Sequence, residues 1–80
     1  MVSLPSSVRI FVCREPTDMR CGRYLLASKA KSHIGKDPLS GHLFLFFNKR
    51  RTSVKVLYFD RSGYAVWHKV LEQGSYGQPD

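Results

Sequence analysis

Acidic residues are scarce in this chain. Its 80 residues carry six Asp and Glu against thirteen Lys and Arg, a formal net charge of +7. Cysteine is nearly absent: Cys13 and Cys21 allow one bridge at most. A chain this short buries only about 60% of its unfolded surface, so its stability is marginal unless something staples it. Residues 1–4 show neither a basic stretch nor an apolar run of the secretory kind, and the expectation is a cytoplasmic protein with reduced thiols. The longest apolar run, residues 43–47, is far too short to span a bilayer, and no membrane partner is expected. There is no internal repeat, no low-complexity stretch and no glycine-rich phosphate loop; Gly35 and Gly41 read as turn residues.

Catalytic and metal chemistry are also poorly served. Asp18, Asp60 and Glu72 are the acids one would offer for metal-assisted phosphodiester chemistry. Each has a simpler reading: Asp18 as a helix cap, Asp60 as the start of a turn, Glu72 in a surface turn. His33, His42 and His68 lack ligand spacing among themselves or with the cysteines, which do not form a C-x-x-C pair. The chain is read as a non-enzyme that needs no cofactor and no metal.

What remains has a clear order. Residues 5–7 form an irregular arm. Residues 8–12 (VRIFV) are β-branched and aromatic and predict a strand. Pro16 breaks the chain. Thr17 or Asp18 then suits an N-cap for a helix over residues 19–34, stopped by Gly35 with Pro38 just beyond. At 100° per residue its apolar face gathers Met19, Leu26, Ala27, Ala30 and Ile34, with Arg23 misplaced in the middle. An Arg there must lay its methylenes over apolar surface and send its head to water.

After a turn at residues 37–41 (DPLSG) come three strands, at residues 42–47 (HLFLFF), 53–59 (SVKVLYF) and 64–70 (YAVWHKV). They are joined by the loop at 48–52 (NKRRT) and the tight turn at 60–63 (DRSG). A turn at 72–74 follows, and residues 75–80 read as the start of a further strand. The expected fold is α+β, a single small two-layer domain over residues 1–80. Its order is β-α-β-β-β, an antiparallel meander with one helix packed on one face. Both faces of the predicted strands carry bulky apolar groups, and one helix cannot cover both. A partner surface or a homo-oligomer is therefore expected.

The remaining signal is basic. Lys49, Arg50 and Arg51 crowd the hairpin tip, where like charges repel and an anionic partner relieves that cost. Lys55 extends the patch along the next strand, Arg20 joins it from the helix, and Lys69 adds to it on the last strand. Arg20, Lys49, Arg50, Arg51, Lys55 and Lys69 are thus the candidate nucleic-acid-binding residues, acting by phosphate neutralisation and counterion release. The competing reading is a solvated hairpin whose charges keep an edge from aggregating. For Tyr58, Tyr64 and Trp67, core packing is the first reading and base stacking the second.

Five segments occur in one consistent order: SLPSSVRIFV (3–12), EPTDMRCG (15–22), DPLSGHLFLFFNKRR (37–51), KVLYFD (55–60) and GYAVWHKVLEQG (63–74). Together they resemble the small accessory protein of bacterial insertion sequences of the sixty-six family, the Orf2 or TnpB-type product. The resemblance implies an accessory role in transposition, with insertion-element DNA and the transposase of the same element as partners. It brings no catalytic residues with it. Arg23 stands where the family tends to hold an aromatic residue and Lys29 where it tends to be apolar. The family's chain also usually continues past residue 80, so this sequence is expected to be shorter at its C-terminus. Docking on the transposase without DNA contact is the alternative function.

Overall fold

The computed structural model describes residues 7–77. Four strands and one helical segment alternate as expected: β1 (Ile10–Val12), α1 (Arg23–Lys29) with a π-helical turn at Ala30–Ile34, then β2 (Leu43–Phe47), β3 (Ser53–Asp60) and β4 (Gly63–Val70). The sheet runs in the order β1-β2-β3-β4. The last three strands form the antiparallel meander, while β1 lies parallel to β2, with Ile10, Phe11 and Val12 opposite Leu43, Phe44 and Leu45. A parallel pair requires a crossover, and residues 13–42 supply it.

Strand alternation sorts the side chains into two faces. On one, Phe11, Phe44 and Leu57 of the cross-sheet row lie beneath the helix, and Val66 at the end of that row is 39% exposed. Phe44, Phe46 and Leu57 pack there against Leu26, Ala27 and Ala30, with Cys13 in the same cluster and Cys21, Ile34 and Tyr64 at its edge. Each large side chain so buried contributes about 1.5–3 kcal/mol. Both thiols are free. On the other face the row is Val12, Leu45, Val56 and Trp67, and nothing among the described residues covers its centre.

The helix departs from expectation at its start. It begins at Arg23 after an N-cap at Gly22 that has no side-chain cap, so residues 17–22 are not helical. Asp18 Oδ1 does accept from a nearby backbone N–H, that of Arg20 at 2.8 Å, but as an Asx turn. Two tertiary bonds hold this segment out of the helix. Thr17 N–H donates to the Phe47 carbonyl at 2.8 Å. Lys55 Nζ donates at 2.9 Å to the Cys21 carbonyl, which a longer helix would need for its own ladder.

Met19 is therefore not on a helical face, whereas Leu26, Ala27 and Ala30 are buried as the pattern required. Arg23 is exposed, its guanidinium 4.7 Å from the centre of the Tyr24 ring. The end is as expected: Gly35 adopts φ 77° and its N–H closes on the Ala30 carbonyl at 2.9 Å, a five-residue π-type bond. Ser32 Oγ donates back to the Ser28 carbonyl at 3.0 Å, an arrangement that bends helices.

The expected arm at residues 5–7 lies outside the described residues except for Ser7, and the predicted final strand does so from residue 78. Residues 75–77 are irregular. They are nonetheless anchored: Tyr76 N–H donates to the Arg51 carbonyl at 2.7 Å and the Tyr76 ring packs on Phe47, 5.3 Å between centres.

Candidate nucleic-acid interface

The β2–β3 hairpin tip is built by Asn48. Its Oδ1 accepts from Thr52 N–H at 2.9 Å and from Ser53 N–H at 3.0 Å, and its Nδ2 donates to Thr52 Oγ1 at 2.9 Å. The loop is thus closed by one side chain, and Lys49 and Arg50 stand out from it exposed and without an ion pair or hydrogen bond among the described residues. Sequence reasoning named the cations and missed the residue that holds them; an Asn opening a polar hairpin loop is the signal that would have found it. Beside the tip lies a cleft of about 390 Å³ lined by Pro16, Thr17, Asp18, Met19, Asn48, Lys49 and Arg50. Thr17 is buried there, and its hydroxyl has no hydrogen-bond partner.

The six candidate residues do not form one patch of free charge. Arg51 turns inward at φ 56°. Its Nε and Nη2 donate to the Gly77 carbonyl at 3.0 and 2.6 Å, and its guanidinium carbon sits 4.2 Å from the centre of the Phe47 ring. It fastens the C-terminal segment to the hairpin.

Arg20 forms a bidentate pair with Asp18, 2.7 Å at the closest approach, which neutralises both charges locally. The side-chain hydrogen bonds from Arg20 hold the Asp18 carboxyl down at about 2 and push the guanidinium pKa upward. Lys55 is half buried and bound to Cys21.

Lys69 is exposed on β4, on the uncovered face two residues from Trp67. Because Ser53 pairs with Val70, the Lys69 end of β4 lies beside the hairpin tip. The unengaged cations at this end of the sheet are therefore Lys49, Arg50 and Lys69.

Aromatic placement divides as well. Tyr64 lies on the covered face against Phe59 and Tyr24, and burial raises its pKa. Trp67 is half exposed on the other face, at 51%. Among the described residues no three His, Cys, Asp or Glu side chains come together as a metal site, and no helix is long and apolar enough to cross a membrane.

Architecture and surface together define a small basic α+β domain with a cationic hairpin tip closed by Asn48 and one sheet face whose centre no described residue covers. The chain belongs to the family described as IS66 Orf2 like protein, whose pattern it matches over residues 8–80. That is a family of accessory proteins of insertion sequences, which gives the chain an accessory role in transposition. Two relatives come from Sinorhizobium fredii (strain NBRC 101917 / NGR234). The uncharacterized protein y4hO is 35% identical over 78 residues, 95% of this chain and 68% of the relative. The uncharacterized protein y4jC is 33% identical over 76 residues, 95% of this chain and 65% of the relative. The chain thus spans about two thirds of the length of these relatives. No solved structure matches it significantly.

Proposed function

We propose that this protein assists transposition by binding insertion-element DNA without catalysing its cleavage, through the hairpin-tip cations Lys49 and Arg50 together with Lys69. The observation that carries this reading is the pinned loop: Asn48 fixes two adjacent, unpaired cations at the end of the sheet. Cations held in place lose less freedom when they meet phosphates than cations on a mobile loop. The contacts expected are to the phosphate backbone, which gives affinity and a salt dependence without reading sequence.

Retardation of element-end DNA across a salt series tests this. Lys49→Ala and Arg50→Ala should each reduce the slope of log affinity against log salt by about 0.9. Absence of any complex at low salt, or a slope indifferent to both variants, removes the proposal.

Docking on the transposase is supported by a different surface. Leu25 stands on the outer side of α1, exposed at 61%, and Tyr24 beside it is exposed at 69% with its ring edge-on to Tyr64. A partner that covers these two side chains would remove their apolar area from water. Co-purification with the element's transposase, lost in Leu25→Glu while DNA binding persists, is the expected result. Unchanged co-purification of Leu25→Glu would count against this surface.

A further inference from the structure

The sheet's second face has no explanation in the contacts described above. The helix packs over Phe11, Phe44 and Leu57 while Val66 stays 39% exposed, and on the opposite side the end of the face at Phe47 and Val54 is buried, with Tyr76 packed on Phe47. Between them the uncovered face holds a shallow hollow of about 520 Å³, walled by Leu43, Val56, Tyr58 and Trp67 with Asp60 at one end. Val56 pairs with Trp67 and Tyr58 with Ala65, so the two aromatic residues are diagonal neighbours on that face, about 7–8 Å apart.

We propose that this open face is a platform for single-stranded DNA, with bases stacked on Trp67 and Tyr58 and the backbone led over Lys69 to Lys49 and Arg50. The proposal rests on the DNA-binding reading and adds the strandedness of the DNA and the surface that receives it. Three features favour it. A flat π-face beside an apolar hollow takes any nucleobase, because every base has a face of its own to stack. Charge is graded along the strand: Asp60 marks one end of the hollow, while Lys69 lies toward the opposite end of β4, beside the cationic tip. A polyanion is thereby led away from the carboxylate and toward the cations. Finally, a base within a duplex is already stacked on both sides and cannot meet Trp67. Duplex DNA can use the tip alone, and a strand with unstacked bases can use both tip and face.

The chain's single tryptophan is its own reporter. The full chain is titrated with a short oligothymidylate, with a duplex of matched length and with an oligouridylate, following tryptophan emission. Binding of labelled strands is followed in parallel by anisotropy. Saturable quenching by oligothymidylate, and none by a duplex that nonetheless binds, is the expected result. Trp67→Leu keeps apolar area and removes the π-face, and should weaken single-strand binding on the order of ten-fold while leaving duplex binding unchanged. Trp67→Phe should recover most of the loss, which a merely unfolded variant would not do.

Duplex binding with no tryptophan response to single strands overturns the platform and leaves the DNA reading standing. Absence of binding to either form overturns both. Quenching at lower concentration by oligouridylate overturns the assignment to DNA. Wild-type single-strand affinity in Trp67→Leu overturns the stacking platform.

Discussion

Arg51 should behave as a structural clasp and not as a phosphate contact, and the two roles separate cleanly in Arg51→Ala. The substitution removes the guanidinium bonds to the Gly77 carbonyl and the stacking over Phe47. Partly exposed hydrogen bonds from a charged donor contribute about 1 kcal/mol, and an exposed cation–π contact about 0.5–1 kcal/mol. The sum, about 2 kcal/mol, corresponds to about 8–16 °C in Tm for a domain of this size. Alanine keeps the left-handed backbone at φ 56° and its strain, so Arg51→Gly should recover about 1 kcal/mol of the loss. Thermal unfolding by circular dichroism measures both. A chain ending at Gly74 loses the Gly77 acceptor and the Tyr76 contacts as well and should be destabilised at least as much, and adding Arg51→Ala to it should cost only the remaining Phe47 stacking, about 0.5–1 kcal/mol. In a DNA titration Arg51→Ala should leave the salt slope within error of wild type. An unchanged Tm together with a slope reduced as in Lys49→Ala would refute the clasp and return Arg51 to the phosphate-binding set.

Other outcomes follow from single contacts. Lys55→Met keeps the aliphatic stem but loses the bond to the Cys21 carbonyl, and should cost about 1–2 kcal/mol in denaturant unfolding with no change in DNA salt slope. Arg61 opens the β3–β4 turn at φ 43°, a conformation in which glycine is unstrained, so Arg61→Gly should stabilise by about 1 kcal/mol and raise Tm. Asp18 has a folded pKa of about 2, below its ordinary 3.8, so its pairing contributes stability above the ordinary value and loses it as pH falls through about 2. Carboxyl titration by NMR should find that low midpoint and see it return toward 3.8 in Arg20→Ala. Leu26→Ala in the core should cost about 3–5 kcal/mol and leave the domain largely unfolded at growth temperature.

Strands were legible because their residues carry the information locally. VRIFV, HLFLFF, SVKVLYF and YAVWHKV are β-branched and aromatic runs between turn residues, and the boundaries moved by two residues at most. The helix end was equally local, set by Gly35. Its start was not. Thr17 and Asp18 are valid cap residues, and Asp18 even makes a cap-like bond, but the carbonyls of Phe47 and Cys21 and the amine of Lys55 meet only after the sheet has formed.

The same limit applies to telling engaged cations from free ones. Arg20, Arg51 and Lys55 resemble Lys49 and Arg50 in sequence, and only tertiary contacts with Asp18, Gly77 and Cys21 distinguish them. Residue type alone puts core packing first and base stacking second for Trp67. Which side of the sheet remained uncovered depended on where the helix came to rest.

The parallel placement of β1 has a kinetic consequence. The meander closes through two hairpins of short span, whereas β1 reaches β2 only across the crossover of residues 13–42. Loop closure makes that the slower step. It also leaves β1 as a three-residue edge strand held by one ladder, the element with the fewest bonds to break on release. Detachment would draw Cys13 from the core, since its N–H is bonded to the Leu45 carbonyl at 2.9 Å and its thiol is buried. The rate at which a thiol reagent modifies Cys13 is thus a clock for the opening of this edge, readable without unfolding the meander.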